Sequence, residues 1–330
     1  MSAAQTTTAD LPPAKKTSAG AGTGSKGKPG KPARKGSGAT PWLLLAPCML
    51  IIALIMGYPL YRLVALSFQS FGKKELWGFK DAEFVGLDNF TKILGDGVFW
   101  TVVLRTVVFA AGAVILTMAI GMLIALLLQK VSGLVKALIS IALVASWGMP
   151  IIVATAVFKW LFDSGYGVLN YLLSQLPGVD MIGHNWFASG PQGLVVIMLL
   201  VVWGAVPFVV ITLSAGLTQV PKELEEAARL DGAGAWGVFR HVTLPILKPI
   251  IVMLTTLSVI WDMGVFPQVF VMRNGNPEAE FQLLTTYSYQ QAFVVNDYSG
   301  GSAIALVTVL LLLGVVAVYM RQMLKIGEVE

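Results

Sequence analysis

Six long apolar runs decide what this chain can become. They cover residues 42–68, 99–128, 134–162, 193–218, 246–272 and 302–324. Each reaches the roughly 20 residues that a helix needs to cross a bilayer core. A backbone in hydrocarbon must satisfy its own N–H and C=O groups, so each run is expected to be helical. Only 12% of the 330 residues are charged, where soluble domains carry about 25%. The expectation is an all-α integral membrane protein with six transmembrane helices in one domain, residues 42–325, embedded in lipid.

Charge sets the expected orientation. Residues 1–41 hold seven Lys and Arg against one acid, Asp10, and almost no large apolar side chains. Such a segment cannot offset its ordering entropy by burial, so it reads as a disordered basic tail. Its charge holds the N-terminus in the cytoplasm. Six spans then return the C-terminus to the cytoplasm, together with the segment between the fourth and fifth spans. Fifteen of the 23 basic residues fall on that side or in the tail. They gather in the tail and at membrane edges, so they do not point to nucleic acid. Leu45-Ala46-Pro47-Cys48 faintly resembles a lipoprotein box, but Pro47 and the apolar run beyond Cys48 argue for a retained helix.

Much chemistry is excluded. One Cys and two His, His184 and His241 in separate loops, leave no disulfide framework and no metal site. No catalytic constellation of His, Asp and Glu occurs. Gly22, Gly24 and Gly27 spell GxGxxG, yet neither a strand nor a helix frames them. No GxxxxGK[ST] is present, so ATP hydrolysis is not expected of this chain. No internal repeat of the secondary-carrier kind is visible.

Within the spans, Asp262 is the clearest functional candidate, because charged groups in a bilayer are costly. Flanked by Trp261, it offers an acceptor beside a flat apolar face, which suits a sugar; it equally suits a clamp to a Lys or Arg of another helix. Trp147, Trp203 and Phe208 are further aromatic candidates, or interfacial anchors. Pro150, Pro207 and Pro267 sit inside apolar runs and are expected to kink them.

The segment 221–249 is the longest charged, helix-forming interval between apolar runs. Pro221 fits a first helical turn, and Glu223, Glu225 and Glu226 place negative charge at the positive end of the dipole. Gly232 reads as a left-handed stop. A second short helix is expected from Ala235 to Val242, ending before Leu244-Pro245. Two short helices joined at a glycine would form a knob suited to a partner's groove.

Glu226-Ala227-Ala228, three residues, Gly232, nine residues, then Val242-Thr243-Leu244-Pro245 resembles the EAA loop of ABC importer permeases, with Val for the usual Ile. The resemblance implies the type I importer permease fold, with a coupling loop over 221–245. Glu226, Ala227, Ala228, Asp231, Gly232, Ala233, Leu244 and Pro245 would couple it to a dimer of ATPase subunits that bind ATP and Mg. Phe84 to Phe90, Leu284 to Phe293 and Gly301-Ser302-Ala303 are similar to the maltose-group carbohydrate permeases of bacterial inner (plasma) membranes. That similarity implies a second, dissimilar permease subunit and an extracellular or periplasmic sugar-binding protein. It also implies sugar contacts at Ala205, Phe208, Ser258, Asp262 and Val265. One departure is that Met272 to Pro277 replaces the group's Thr-x-Gly-Gly-Pro. Two alternatives stay open: an ion-coupled secondary carrier, and an ABC importer of another solute such as glycerol-3-phosphate.

Overall fold

The computed structural model describes residues 40–327; the expected disorder of the 1–41 tail lies almost wholly outside them. One unit ends at Ala53 and contains helix α1 (Thr40–Ile52). The other begins at Leu54 and holds everything that follows.

Its first elements are α2 (Tyr58–Ser67), strand β1 (Gln69–Ser70), α3 (Lys73–Leu76), β2 (Glu83–Phe84) and α4 (Asp88–Leu94). Then come α5 (Gly97–Leu128), α6 (Gly133–Trp147), α7 (Ile151–Leu161), α8 (Val168–Leu173) and α9 (Gly190–Leu217). The chain continues through α10 (Lys222–Leu230), α11 (Ala235–Val238), α12 (Leu244–Met263), α13 (Pro267–Met272), α14 (Leu284–Tyr289) and α15 (Tyr298–Gly327). Five helices are long and apolar enough to cross a membrane: Trp42–Ser67, Gly97–Leu128, Gly190–Leu217, Ala235–Met263 and Tyr298–Met323.

The expected third span, 134–162, is not one straight helix. It is α6 and α7, bent by 99°, and it counts as a sixth crossing only if the bent pair spans as one. Pro150 lies at the break with φ −56° and ψ 130°. The residue before a proline avoids the helical region, so α6 stops at Trp147 and a new helix starts from Ile151.

The expected fifth span, 246–272, is corrected in the same way. Helix α12 ends at Met263, and Phe266, with φ −129° and ψ −57°, departs from helical geometry before Pro267, which opens α13. Pro207 differs from both, since α9 continues through it. Pro221 caps α10 rather than starting it.

The second short helix of the 221–249 segment does not end before Leu244-Pro245. It runs from α11 through a π turn, Phe239–Thr243, straight into α12. Pro245 lacks an N–H and its ring crowds the carbonyl four residues back. A wider turn relieves this, and the Leu244 N–H reaches the Phe239 carbonyl instead.

Helices α5 and α9 form the centre of the bundle, with Phe109, Ala113, Ile197, Leu200 and Val210 buried along their crossing. Small residues let the backbones approach, as membrane helix interfaces require. A Cβ at Gly121 would stand 2.6 Å from Val209 Cγ1, and one at Gly216 would stand 2.6 Å from Ile250 Cδ1. The second contact draws α12 against α9.

At the other end of these helices, β1 and β2 form a two-stranded antiparallel ribbon with Gln69 opposite Phe84. Buried Asn89 donates from Nδ2 to the carbonyls of Ser67 (3.0 Å) and Gln69 (2.8 Å). It therefore ties α4 to the turn after α2. The Phe71 N–H donates to Ser299 Oγ at 2.6 Å, joining this ribbon to the start of α15.

Candidate functional site

Two sites emerge, one at the hairpin after α9 and one inside the bundle. In the first, Gly232 has φ +87°, a left-handed conformation that only glycine adopts at low cost. The Gly232 N–H bonds the Arg229 carbonyl at 3.0 Å and the Ala233 N–H bonds the Ala228 carbonyl at 2.9 Å. These bonds satisfy the carbonyls that α10 leaves open at its end. Glu226, Ala227, Asp231 and Gly232 are exposed, while Ala228 and Ala233 are half-buried. Leu244 and Pro245 are exposed at the start of α12.

Two residues of this hairpin escaped sequence reasoning. Leu230 is 89% exposed and Trp236 is 69% exposed, which gives the knob apolar anchors of the kind that dominate protein interfaces. Their signal was available, since each is a large apolar residue among charges and glycines. Glu225 and Arg229 pair at 3.6 Å along α10; this exposed i,i+4 pair adds only about 0.3–0.5 kcal/mol.

The second site is a cavity of about 280 Å³ between α6, α7, α9, α12 and the α12–α13 break. Trp147, Trp203, Ala205, Trp261, Asp262 and Val265 line it, as does Gln268. Four of the expected sugar-contact residues, Ala205, Trp261, Asp262 and Val265, are thus brought together. Phe208 and Ser258 are not in the wall. Phe208 stands behind it, stacked on Trp147 at 6.0 Å and tilted against Trp261 at 5.5 Å. Ser258 is buried one helical turn before Asp262.

Two acceptor atoms in this cavity have no donor. Asp262 is 3% exposed, and among the described residues neither its Oδ2 nor Gln268 Oε1 has a hydrogen-bond partner. No Lys or Arg of the described residues pairs with Asp262. A buried acceptor left unsatisfied costs about 1–3 kcal/mol. A ligand carrying hydroxyl donors would recover that loss while its apolar face met the tryptophans. Gln268 was missed because it belongs to the wall only through the break between Met263 and Pro267.

A helical bundle with broken spans, an exposed hairpin at one end and a small aromatic cavity within it defines a membrane permease. Residues 118–325 match the family model described as binding-protein-dependent transport system inner membrane component, and the chain belongs to that family. It is 39% identical to the diacetylchitobiose uptake system permease protein DasB of Streptomyces coelicolor, over 94% of each chain. It is 35% identical to the sulfoquinovosyl glycerol transport system permease protein SmoG of Agrobacterium fabrum, over 84% of this chain and 88% of that one. The fold is similar to a chain in the crystal structure of a bacterial alginate ABC transporter in complex with its alginate pentasaccharide-bound periplasmic protein. The TM-score there is 0.72 at 17% identity, covering 87% of this chain and 94% of the other.

Proposed function

We propose that this chain is one permease subunit of an ATP-driven importer whose cargo is a sugar, most naturally an oligosaccharide. The observation that carries the proposal is the α10–Gly232–α11 hairpin, which offers an exposed helix continuous through the π turn with α12 and thus with the cavity wall at Asp262. A push on the hairpin is transmitted along one continuous helix to the cavity. Two relatives are named for glycosides, which fits a cavity of tryptophans and unpartnered acceptors.

In this reading Glu226 through Ala233, with Leu244 and Pro245, dock into a dimer of ATPase subunits that bind ATP and Mg. A second, dissimilar permease completes the passage, and a sugar-binding protein delivers cargo to the opposite face. The hairpin and both termini lie in the cytoplasm of a bacterial plasma membrane. Closing of the ATPase dimer draws the two hairpins together and turns the spans from inward-open to outward-open.

Reconstitution in proteoliposomes with the ATPase and binding protein tests this. Uptake of a radiolabelled oligosaccharide is expected to require ATP and to survive collapse of the proton gradient. Uptake driven by the gradient without ATP would overturn the importer reading, and transport of glycerol-3-phosphate in place of any sugar would overturn the cargo.

A further inference from the structure

Behind the coupling hairpin is a second, larger cavity of about 620 Å³, separate from the cargo cavity and sharing only Arg229 with the docking residues. Its floor is apolar, formed by Leu126 at the end of α5, Leu217 at the end of α9, and Val238 and Phe239 of the hairpin. Its rim is cationic. Lys130, Lys222 and Arg229 line it, with Glu225 as the one opposing carboxylate.

Glu225 is already engaged with Arg229 at 3.6 Å. Neither Lys130 nor Lys222 has a carboxylate partner among the described residues. The cations come from different elements, since Lys130 follows α5 whereas Lys222 and Arg229 belong to α10. Both lysines line the same space, and no carboxylate of the described residues lies within ion-pair distance of either.

We infer that this cavity binds a phosphate-bearing anion, with the phosphate held between Lys130 and Lys222 and any apolar portion lying on the Leu126–Phe239 floor. Basic pockets at the cytoplasmic edge of membrane helices take anionic headgroups in this manner. A soluble phosphate ester offers the same anion without the tail. Either occupant ties the end of α5 to the first turn of α10. The hairpin then moves with the spans instead of hinging at the Gln219–Pro221 connection. The location of this edge in the cytoplasmic leaflet rests on the orientation proposed above, but binding itself is read directly and does not depend on transport.

The experiment uses the intact assembly in nanodiscs of phosphatidylcholine with or without phosphatidylglycerol. Native mass spectrometry counts retained phosphatidylglycerol, and titration with inorganic phosphate is followed in discs lacking it. Wild type is expected to retain the anionic lipid, Lys130→Gln combined with Lys222→Gln to lose most of it, and Lys130→Arg to keep it. Saturable phosphate binding that disappears in the same double variant, without lipid retention, assigns the soluble source instead. Equal retention of lipid and phosphate by wild type and by a double variant that assembles normally overturns the inference. So does a photo-crosslinker at Thr218, which also lines the cavity, if it captures the ATPase subunit and no phospholipid in an assembly that also binds no phosphate.

Discussion

The Arg273 guanidinium forks onto the Glu278 carboxylate, from Nε at 2.8 Å and Nη2 at 2.5 Å, while lying 4.2 Å from the centroid of the Phe281 ring. The same guanidinium stands 5.5 Å from Phe187, so it staples the turn after α13 to the connection before α9. This is where the chain departs from the Thr-x-Gly-Gly-Pro of the carbohydrate permeases, and Arg273 with Glu278 closes the turn in its own way. Asn274 reinforces it by accepting from Lys159 Nζ at the end of α7.

The pair makes the turn sensitive to acid. The hydrogen bond from Arg273 holds the Glu278 carboxyl below its ordinary value. A group whose folded value is depressed stabilises above its unfolded value, about 4.3 for Glu, and loses that contribution as pH falls through the lower folded one. The Glu278 side chain is 54% exposed, so solvent screening keeps the effect below about 1 kcal/mol. The protection of amides at residues 274–281, taken relative to the intrinsic exchange rate at each pH, should fall as the pH drops below this range in wild type. In Glu278→Gln that protection should already be lower at neutral pH and show no comparable acid step. An identical acid profile in both would remove the pair from the explanation.

Arg105 predicts a larger effect. From within α5 its Nη1 donates to the carbonyls of Ala279 (2.7 Å) and Gln282 (3.0 Å), and the Gln282 side chain is buried. Arg105→Leu leaves the exposed Ala279 carbonyl to water but takes the donor from the part-buried Gln282 carbonyl, at a cost of about 1–3 kcal/mol. Thermal unfolding of the detergent-purified assembly should shift further for Arg105→Leu than for Glu278→Gln. A smaller shift than for Glu278→Gln would count against this role for Arg105.

Asp262 separates a cargo site from a structural clamp. A clamp would lose stability when removed; an unpartnered acceptor would gain it. Asp262→Leu is therefore expected to raise the melting temperature of the assembly, by relief of about 1–3 kcal/mol, while lowering sugar uptake. Asp262→Asn should retain more uptake than the leucine variant, because its amide still offers an acceptor. A fall in melting temperature with uptake intact would assign Asp262 to structure.

Gly232 tests the coupling role. A β-branched residue at φ +87° is strained by about 1–2 kcal/mol, and an added Cβ meets no neighbour within 4 Å, so the strain is local to the turn. Gly232→Val should leave membrane insertion and abundance unchanged and bring ATP-driven uptake to background. Wild-type uptake in this variant would sink the coupling assignment.

What local chemistry controls was legible in the residues. Apolar runs marked the helices because hydrocarbon forces backbone self-satisfaction, and Gly232 marked its turn because φ above zero excludes most side chains. The asymmetry of Lys and Arg pointed to an orientation, and the spacing from Glu226 to Pro245 pointed to a coupling loop. Asn89 was visible as part of a short resemblance, but its work of tying α4 to the turn after α2 was not.

The tertiary structure decided what depends on two distant segments meeting. Pro150 announced a kink, but only packing against α9 and α13 sets the angle of 99°, because a proline removes one bond without choosing a direction. Gln268 joined the cavity wall through the break after Met263, and Phe208 stands behind it against Trp147 and Trp261. Arg105 found carbonyls far along the chain, and Lys130 came to line one cavity with Lys222 because the ends of α5 and α9 meet the hairpin there. Periodicity and composition act within a few residues of sequence. Which side chains share a space is settled by close helix crossings such as Gly121 on Val209, and those belong to the folded bundle.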